Sequence, residues 1–107
     1  MPFEIVLAPQ AVEGLKALRA DIQSSVRDAI ELHLRHEPTR LSKSRIKRLR
    51  GLNRPQYRVR VNEVRVFYDV TETTVEVLAI IPKEQAEAWL AKKARPTSPG
   101  RPRKGKG

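Results

Sequence analysis

The chain has no cysteine, only two histidines and few aromatic residues, which make up 5% of its 107 residues. The absence of cysteine excludes a disulfide-stapled secreted scaffold and a cysteine-bound zinc site, and two histidines are too few for a histidine-rich metal site. No apolar run approaches the roughly 20 residues of a membrane-spanning helix, and the first ten residues lack the features of a signal peptide. We therefore expect one small cytoplasmic domain with an aliphatic core, without a metal, another cofactor or a membrane partner.

Positive charge is in excess, with 22 Lys and Arg against 12 Asp and Glu, a net charge of +10. The excess is concentrated in two blocks. Residues 40–65 hold ten cations and one acid, and residues 92–107 hold seven cations and no acid. Blocked charge of this kind favours binding to a polyanion, such as nucleic acid or a ribonucleoprotein, over a merely soluble basic surface.

The first half of the chain has the pattern of a strand followed by two helices. Residues 3–7 form a short apolar run typical of a strand, and apolar residues then recur at helical spacing over 9–19 and 22–36. Asp21 is a suitable N-cap for the second helix, and Pro38 ends it. These two neighbouring helices predict an antiparallel hairpin.

The second half changes to a period of two. Apolar and polar residues alternate over 57–61, 64–70 and 75–81, which predicts a three-stranded meander, and residues 46–50 are a candidate for one more short strand. Residues 83–94 are strong helix formers and predict a short C-terminal helix. We therefore expect an α+β fold, in which the helical hairpin packs on a small antiparallel sheet.

The composition changes again after residue 94. Residues 95–107 consist of Pro, Gly, Ser, Thr and cations. Such a segment cannot build a core. We expect a folded domain over 1–94 and a disordered basic tail over 95–107.

The two-residue break at 62–63 fixes the register of the strands on either side. Arg60 then lies opposite Arg65, Arg58 lies opposite Phe67, and all three arginines share one face of the sheet. Like charges directly opposite each other destabilise a sheet, so folding alone does not favour this cluster. Guanidinium groups on an open face are suited to binding phosphates; the alternative is that they only contact water.

Three apolar residues are expected on the face of the arginines, namely Phe67, Leu78 and Ile80. Apolar side chains beside charged ones need a cover, so we expect the C-terminal helix or a protein partner to lie over them. Asp69 and Glu76 are expected toward the far end of this face, where they relieve only part of the repulsion between the arginines.

Other patterns that carry chemistry are weak. His33 and His36 lie three residues apart without a third ligand, and we interpret them as residues of a helix end. The sequence has no recognisable catalytic triad, glycine-rich phosphate loop or acid–base pair of carboxylates. If the protein is an enzyme, it is expected to work mainly through cations.

The runs L-R-G-L at 49–52, Y-R-V-R-V at 57–61 and V-R-V-F-Y-D-V at 64–70 occur in this order. Together with the order of elements, they resemble the RelE/ParE superfamily of type II toxins, and the RelE-like branch best. The resemblance covers residues 3–91 and is specific over 49–81. It implies the fold of that superfamily.

The resemblance further implies a ribosome-dependent endoribonuclease that cuts messenger RNA in the ribosomal A site, without a cofactor. In such toxins the 2′-hydroxyl attacks its own phosphodiester, and cations stabilise the phosphorane. The implied partners are a cognate antitoxin, the ribosome and messenger RNA, with operator DNA bound only through the antitoxin. The expected catalytic residues are Arg58, Arg60, Arg65 and Lys83. The expected substrate-binding residues are Arg50, Trp89, Lys47 and Arg48.

Two departures from the family pattern bear on the chemistry. Trp89 stands where the best-studied branch usually has tyrosine, and an indole cannot act as a phenolic acid or base. Arg58 and Arg60 stand in the places of two lysines, and arginine stays protonated. Stabilisation of transition-state charge survives these changes, whereas proton transfer has no evident group in the chain.

Two other functions fit the same residues. One is a ParE-like gyrase poison, whose sheet and C-terminal helix would contact a protein. The other is a non-catalytic nucleic-acid-binding module, to which the tail would contribute because Gly100-Arg101-Pro102 resembles the core of an AT-hook. Arrest of translation would indicate the RelE-like function, and a DNA-damage response would indicate the ParE-like one.

Overall fold

The computed structural model describes residues 2–42 and 45–96. The helices are α1 (Pro9–Lys16), α2 (Ala20–Ala29, continued by a π-helical turn over Ile30–Leu34) and α3 (Ala86–Lys93, preceded by a 3-10 turn over Lys83–Gln85). The strands are β1 (Glu4–Leu7), β2 (Ile46–Arg48), β3 (Leu52–Arg54), β4 (Tyr57–Val61), β5 (Val64–Val70), β6 (Thr74–Pro82) and β7 (Arg95–Pro96).

Five of these strands form one sheet in the order β1-β6-β5-β4-β2, and β3 pairs with β7 in a separate ribbon. The expected α+β fold is confirmed, with the meander β4-β5-β6 at the centre of the sheet and β2 as the additional short strand. One pairing differs from the rest, because β1 runs parallel to β6. The connection from β1 to the meander passes through both helices, which is the kind of crossover that a parallel pairing requires.

The register expected for the β4–β5 hairpin is confirmed. Arg60 pairs with Arg65 and Arg58 with Phe67, as the two-residue turn dictates. Asn62 adopts a positive φ of 54° in this turn, a conformation that asparagine tolerates better than most residues.

The alternation of β6 is interrupted by one extra residue. Phe67 pairs with Ala79, but its neighbour Tyr68 pairs with Val77, so Leu78 is left over as a bulge. A shift of one residue reverses the faces of a strand. Ile80 therefore points toward α1 and α2, and the expectation that it lies beside the arginines was wrong.

Apolar side chains form two cores, one on each face of the sheet. The larger core lies between the sheet and the helical hairpin, and it contains Ala11, Leu15, Val26, Ile30, Leu34, Ile46, Val59, Val61, Val64, Val66, Tyr68, Val75, Val77 and Ile80. The smaller core contains Phe67, Ala79 and Ile81, with Leu49, Ala86, Trp89 and Leu90 packed against them. The C-terminal helix α3 thus covers the apolar part of the second face, and Phe67 is fully buried.

The start of α2 also differs from expectation. The residue at the N-cap is Arg19, which has no capping side chain, and Asp21 lies inside the first turn. The carboxylate of Asp21 accepts hydrogen bonds from Nε and Nη2 of Arg19, at 3.2 and 2.8 Å. An acid in the first turn still stabilises the helix through its dipole.

The segment after α2 is attached to the sheet by one tyrosine. The buried hydroxyl of Tyr68 donates to the carbonyl oxygen of Pro38 at 2.6 Å, and its ring stacks on Tyr57 with centroids 5.5 Å apart. Burial, and secondarily Tyr57, raise the pKa of Tyr68. The hydroxyl therefore stays protonated and remains a donor.

The chain continues past α3 into Arg95–Pro96, which pairs with β3. These are the first two residues of the segment expected to be a disordered tail, and the rest of that segment lies outside the described residues. In the part of the chain that the structure describes, no helix has both the length and the apolar character needed to cross a membrane.

We expect Gly14→Ala to destabilise the fold by about 1–3 kcal/mol through overpacking, although alanine favours a helix. A Cβ at this position would lie 2.0 Å from the carbonyl oxygen of Ile80. Because that oxygen belongs to the backbone of β6, no side-chain rotation can relieve the clash. Urea unfolding would measure the effect, with Glu13→Ala, an exposed position of the same helix, as the control; equal stabilities for the two variants would contradict the close approach.

We expect Tyr68→Phe to lower the free energy of unfolding by about 1–3 kcal/mol, because the buried Pro38 carbonyl loses its donor. Tyr57→Phe is the matched control, since no hydrogen bond of the Tyr57 hydroxyl occurs among the described residues. Thermal and urea unfolding of both variants would test this. A Tyr68→Phe variant as stable as Tyr57→Phe would show that the hydroxyl contributes nothing.

Candidate functional site

Strand pairing gathers four cations on the face of the sheet that points away from α1 and α2. Lys47 on β2 pairs with Arg58 on β4, and Arg60 pairs with Arg65 on β5. Side chains of directly paired residues lie on the same side of a sheet. Four of the eight expected site residues, Lys47, Arg58, Arg60 and Arg65, therefore share one surface.

Arg65 is held rigidly at the base of this cluster. Its side chain is buried, with 7% of the residue exposed. Its Nη1 atom donates to the carbonyl oxygens of Asn62 and Val64, at 3.0 and 3.2 Å. The β4–β5 turn thus fixes the guanidinium without neutralising its charge.

Arg58 is a partly buried cation that forms no ion pair with any carboxylate of the described residues. Its Nε atom is buried and has no hydrogen-bond acceptor among the described residues. Burial lowers the pKa of Arg58, and the neighbouring charges of Arg65 and Arg60 lower it further. Within residues 2–42 and 45–96, no carboxylate forms an ion pair with any of these three arginines. A buried charge without compensation is unfavourable, so the cluster is suited to an anionic ligand.

The acids expected to relieve the repulsion are engaged elsewhere. Arg54 lies 2.9 Å from Asp69 and 3.5 Å from Glu76, and the second oxygen of Asp69 accepts the backbone N–H of Gln56 at 2.7 Å. Burial raises the pKa of Asp69, although the Gln56 N–H and Arg54 act against this. These contacts attach the β3–β4 segment to the sheet and leave the arginine cluster uncompensated.

A cleft of about 590 Å³ opens over the cluster between the β4–β5 turn and the start of α3. Three cations line it, Arg58, Arg65 and Lys83. Three carboxylates line it as well, Glu63, Glu84 and Glu87. Lys83 is positioned by its backbone N–H, which donates to the Glu63 carbonyl at 2.7 Å, while its Nζ lies 4.0 Å from a Glu63 carboxylate oxygen. The cations of the cleft are suited to contact a phosphate, and its carboxylates are suited to accept a proton.

Trp89 lies in the smaller core rather than in this cleft. Its ring stacks on Phe67 with centroids 5.0 Å apart, and its Nε1 atom is buried without a partner among the described residues. Trp89 lines a separate cavity of about 260 Å³, together with Arg54, Leu78 and Lys93. The structure therefore does not bring Trp89 together with Arg58 and Arg65.

The remaining expected substrate-binding residues, Arg48 and Arg50, do not line the cleft. Arg48 pairs with Tyr57 and so belongs to the opposite face from Arg58. Its Nη1 donates to the carbonyl of Gln56 at 2.7 Å, and its guanidinium lies over the Tyr57 ring at 5.3 Å. Arg50 is exposed next to Gly51, which has a positive φ of 75°. Arg48 thus organises the β2–β4 segment, whereas Arg50 is free to contact a ligand.

Neither histidine shares a site with these cations. His33 Nε2 lies 3.2 Å from Arg45 Nη1, and burial, followed by the charge of Arg45, lowers the pKa of His33. In the part of the chain that is described, no group of three His, Cys, Asp or Glu side chains is placed to hold a metal ion.

A family model described as "ParE toxin of type II toxin-antitoxin system, parDE" matches residues 5–87. The chain belongs to this family of type II toxins. The expected resemblance to the RelE/ParE superfamily is therefore confirmed. None of the curated proteins compared with the toxin matches it.

Solved structures share the fold of the toxin. The archaeal RelE–RelB complex from Pyrococcus horikoshii OT3 superposes with a TM-score of 0.64 at 23% identity, over 78% of the toxin and 97% of that chain. The RelB–RelE antitoxin–toxin complex from Methanococcus jannaschii superposes with a TM-score of 0.62 at 20% identity, over 78% of the toxin and 96% of that chain. The RelBE2 toxin–antitoxin complex from Mycobacterium tuberculosis superposes with a TM-score of 0.61 at 24% identity, over 77% of the toxin and 92% of that chain. The family model carries the ParE description, whereas these three structural relatives carry the RelE name.

Three carboxylates of the cleft were missed by sequence reasoning. Glu84 lies in the 3-10 turn before α3 and Glu87 lies in α3 itself, and a helix pattern does not reveal which sheet residues such a segment contacts. Glu63 did carry a signal, because it is the single acid among the ten cations of residues 40–65. Its position in the turn next to Arg65 was a sufficient reason to include Glu63 among the expected site residues.

We expect Arg58→Met to stabilise the toxin by about 1 kcal/mol, because it replaces a partly buried cation, which has no ion pair in the part of the chain that the structure describes, by an apolar side chain. Arg60→Met is the control, since Arg60 is exposed and surface substitutions usually stay within about 0.5 kcal/mol. Urea unfolding at low and high salt would measure both. Destabilisation by Arg58→Met would mean that the cation has a compensating partner in the fold.

Proposed function

We propose that this toxin is an endoribonuclease that cleaves messenger RNA in the ribosomal A site and so inhibits translation. The observation that carries the proposal is Arg58, a partly buried cation whose Nε atom has no hydrogen-bond partner among the described residues, on the same face as the fixed guanidinium of Arg65. Fold stability does not favour such an arrangement. A phosphate would supply the missing acceptor and the missing negative charge.

The cleft can support in-line attack by a ribose 2′-hydroxyl. The O2′ atom bonds to phosphorus, the bond from phosphorus to O5′ breaks, and charge on the phosphorane increases on the way. Arg58 and Arg65 are placed to stabilise that charge, which is the contribution that fixed donors make most effectively.

Proton transfer needs groups other than the arginines. A carboxylate of the cleft, from Glu63, Glu84 or Glu87, can accept the proton of the 2′-hydroxyl. The ammonium group of Lys83 can donate a proton to the leaving O5′ atom. This assignment supplies the acid and base that the substitution of lysines by arginines would otherwise remove.

The charge distribution supports dependence on the ribosome. The cleft itself carries as many carboxylates as cations, so it attracts free RNA weakly. The exposed cations Lys47 and Arg60 lie on the same face of the sheet, Arg50 is exposed as well, and the chain carries a net charge of +10. A ribosome would supply both the polyanionic surface that these cations contact and a messenger strand held in place.

A cognate antitoxin completes the proposed system. The three structural relatives are all complexes of a toxin with an antitoxin, and a type II toxin of this fold is expected to be neutralised in the same way. We expect the toxin to act in the cytoplasm and to contact operator DNA only through that antitoxin.

A ParE-like activity is the second candidate, because the matching family model carries the ParE description. In that case the toxin would act on gyrase and the cleft would contact a protein. Arg58 would then pair with a carboxylate of that protein instead of a phosphate. The two functions predict different products, a cut messenger and a cleaved chromosome.

We expect primer extension in a purified translation system to show cuts in the A-site codon. Arg58→Met should reduce the cleavage rate by about 10²-fold or more, the usual effect of removing a donor that stabilises transition-state charge. Arg27→Met is the matched control, because it removes the same charge from an exposed position of α2 and should cleave as the wild type does.

An active RelE-type toxin serves as the positive control. Intact messenger at saturating toxin would contradict the endoribonuclease, and gyrase-dependent DNA breaks in the same cells would then support the ParE-like function. Equal cleavage by Arg58→Met and Arg27→Met would remove Arg58 from the mechanism.

A further inference from the structure

An apolar cavity of about 360 Å³ lies next to the cationic cleft, where the α1–α2 turn meets the β4–β5 turn. Its walls include Leu18, Ile22, Val64 and Pro82, and the exposed Ala17 lies at its rim. Leu18 and Ile22 pack against the larger core and are only partly buried. The cavity is therefore an opening into the apolar layer between helices and sheet.

The lining of this cavity fits an aliphatic side chain better than a nucleobase. Nucleobases outside a duplex are bound by stacking on aromatic rings or on free guanidinium planes. No aromatic ring lines the cavity. Its one arginine, Arg19, lies 2.8 Å from the carboxylate of Asp21. A leucine, isoleucine, valine or methionine of a protein could pack against Leu18, Ile22 and Val64, with the polar residues Asn62, Glu63 and Glu84 on the other walls.

The cavity and the cleft share a wall. Glu63 and Glu84 line both of them. A protein segment that inserts an aliphatic side chain into the cavity therefore has its neighbouring residues over this wall and at the edge of the cleft. An aspartate or glutamate among those neighbouring residues would face the cleft that Arg58 and Arg65 line. No carboxylate of the described residues forms an ion pair with either arginine.

We infer that the antitoxin anchors an aliphatic side chain in this cavity and places an acidic residue in the cleft. The inference rests on the proposed antitoxin partner, but it holds whether the cleft binds RNA or a protein target. Apolar burial would supply affinity, and the acid would block the arginines. Glu63 and Glu84 disfavour a further acid between the two contacts, so a neutral or basic residue is expected there.

This anchor differs from the protein contact that the sequence suggested. Phe67, Leu78 and Ile80 were expected to be covered by the C-terminal helix or by a protein partner, and all three are buried inside the toxin itself. The cavity at Leu18 and Ile22 is open, and it shares Glu63 and Glu84 with the cleft that Arg58 and Arg65 line.

The test uses the full toxin and the antitoxin encoded beside its gene. Ala17→Glu adds bulk and negative charge at the rim of the cavity. Ala20→Glu makes the same change at an exposed position of α2 that does not line the cavity. We expect Ala17→Glu to weaken antitoxin binding by about tenfold or more, the effect of losing a central contact, and Ala20→Glu to change it by less than about twofold.

Ile22→Ala is the second variant, because it removes a wall of the cavity without adding charge, and urea unfolding confirms that each variant is folded. Each aliphatic residue of the antitoxin is also changed to alanine in turn. The loss of affinity caused by Ile22→Ala should disappear when the antitoxin residue that inserts into the cavity is already alanine. Equal affinity of Ala17→Glu and Ala20→Glu, or additive effects at every scanned position, would overturn the inference.

Messenger cleavage separates this inference from the proposed function. Ala17→Glu lies outside the cleft and should cleave as the wild type does, but antitoxin should no longer silence it. A toxin that cuts no messenger and still loses antitoxin binding through Ala17→Glu would refute the endoribonuclease alone. Normal cleavage with normal neutralisation of Ala17→Glu would refute the anchor alone.

Discussion

Strand β6 must supply apolar side chains to both faces of the sheet, and the bulge at Leu78 allows it to do so. Before the bulge, Val75 and Val77 point into the larger core; after it, Ile80 joins them while Ala79 and Ile81 turn toward α3. Helix α1 lies along this part of the strand. Its start is fixed by the Ala8 N–H, which donates to the Val77 carbonyl at 2.8 Å. The bulge therefore sets where the hairpin packs and which residues α3 covers.

The same sheet separates charges that compensate each other from charges that do not. Near β3, Arg54 has two acids, and its contacts are structural. Near the β4–β5 turn, Arg58, Arg60 and Arg65 have none among the described residues. Hydrogen bonds to the backbone carbonyls of Asn62 and Val64 hold Arg65 on the face of Arg58. The toxin thus keeps guanidinium groups without ion-pair partners among the described residues at one end of the sheet, and this is the end that we propose binds phosphate.

The central hairpin could be predicted from the sequence because its register depends on local features. A two-residue turn and strict alternation determine that Arg60 faces Arg65, and no tertiary contact alters this. The side of the sheet on which Ile80 lies could not be predicted in this way, because a bulge does not change the pattern of an apolar run such as 77–81. The position of Asp21 illustrates the same limit on a smaller scale, since an acid suits an N-cap and a first turn almost equally.

Only the part of the candidate site that depends on strand register was predictable from the sequence. The four cations on β2, β4 and β5 follow from pairing, whereas the carboxylates and Trp89 depend on how α3 docks. Sequence spacing places Trp89 six residues after Lys83, but the helix turns its indole onto Phe67. An aromatic side chain on a short helix faces the nearest apolar surface, and the smaller core provides that surface.

The burial of Trp89 has a consequence for spectroscopy. It is the single tryptophan of the chain, and its indole lies against Phe67 in the smaller core, away from the hydrophobic layer between helices and sheet. Tryptophan emission therefore reports the docking of α3, while circular dichroism reports the whole fold. Comparing the two signals during denaturation separates release of the C-terminal helix from unfolding of the whole domain, without a label or an added chromophore.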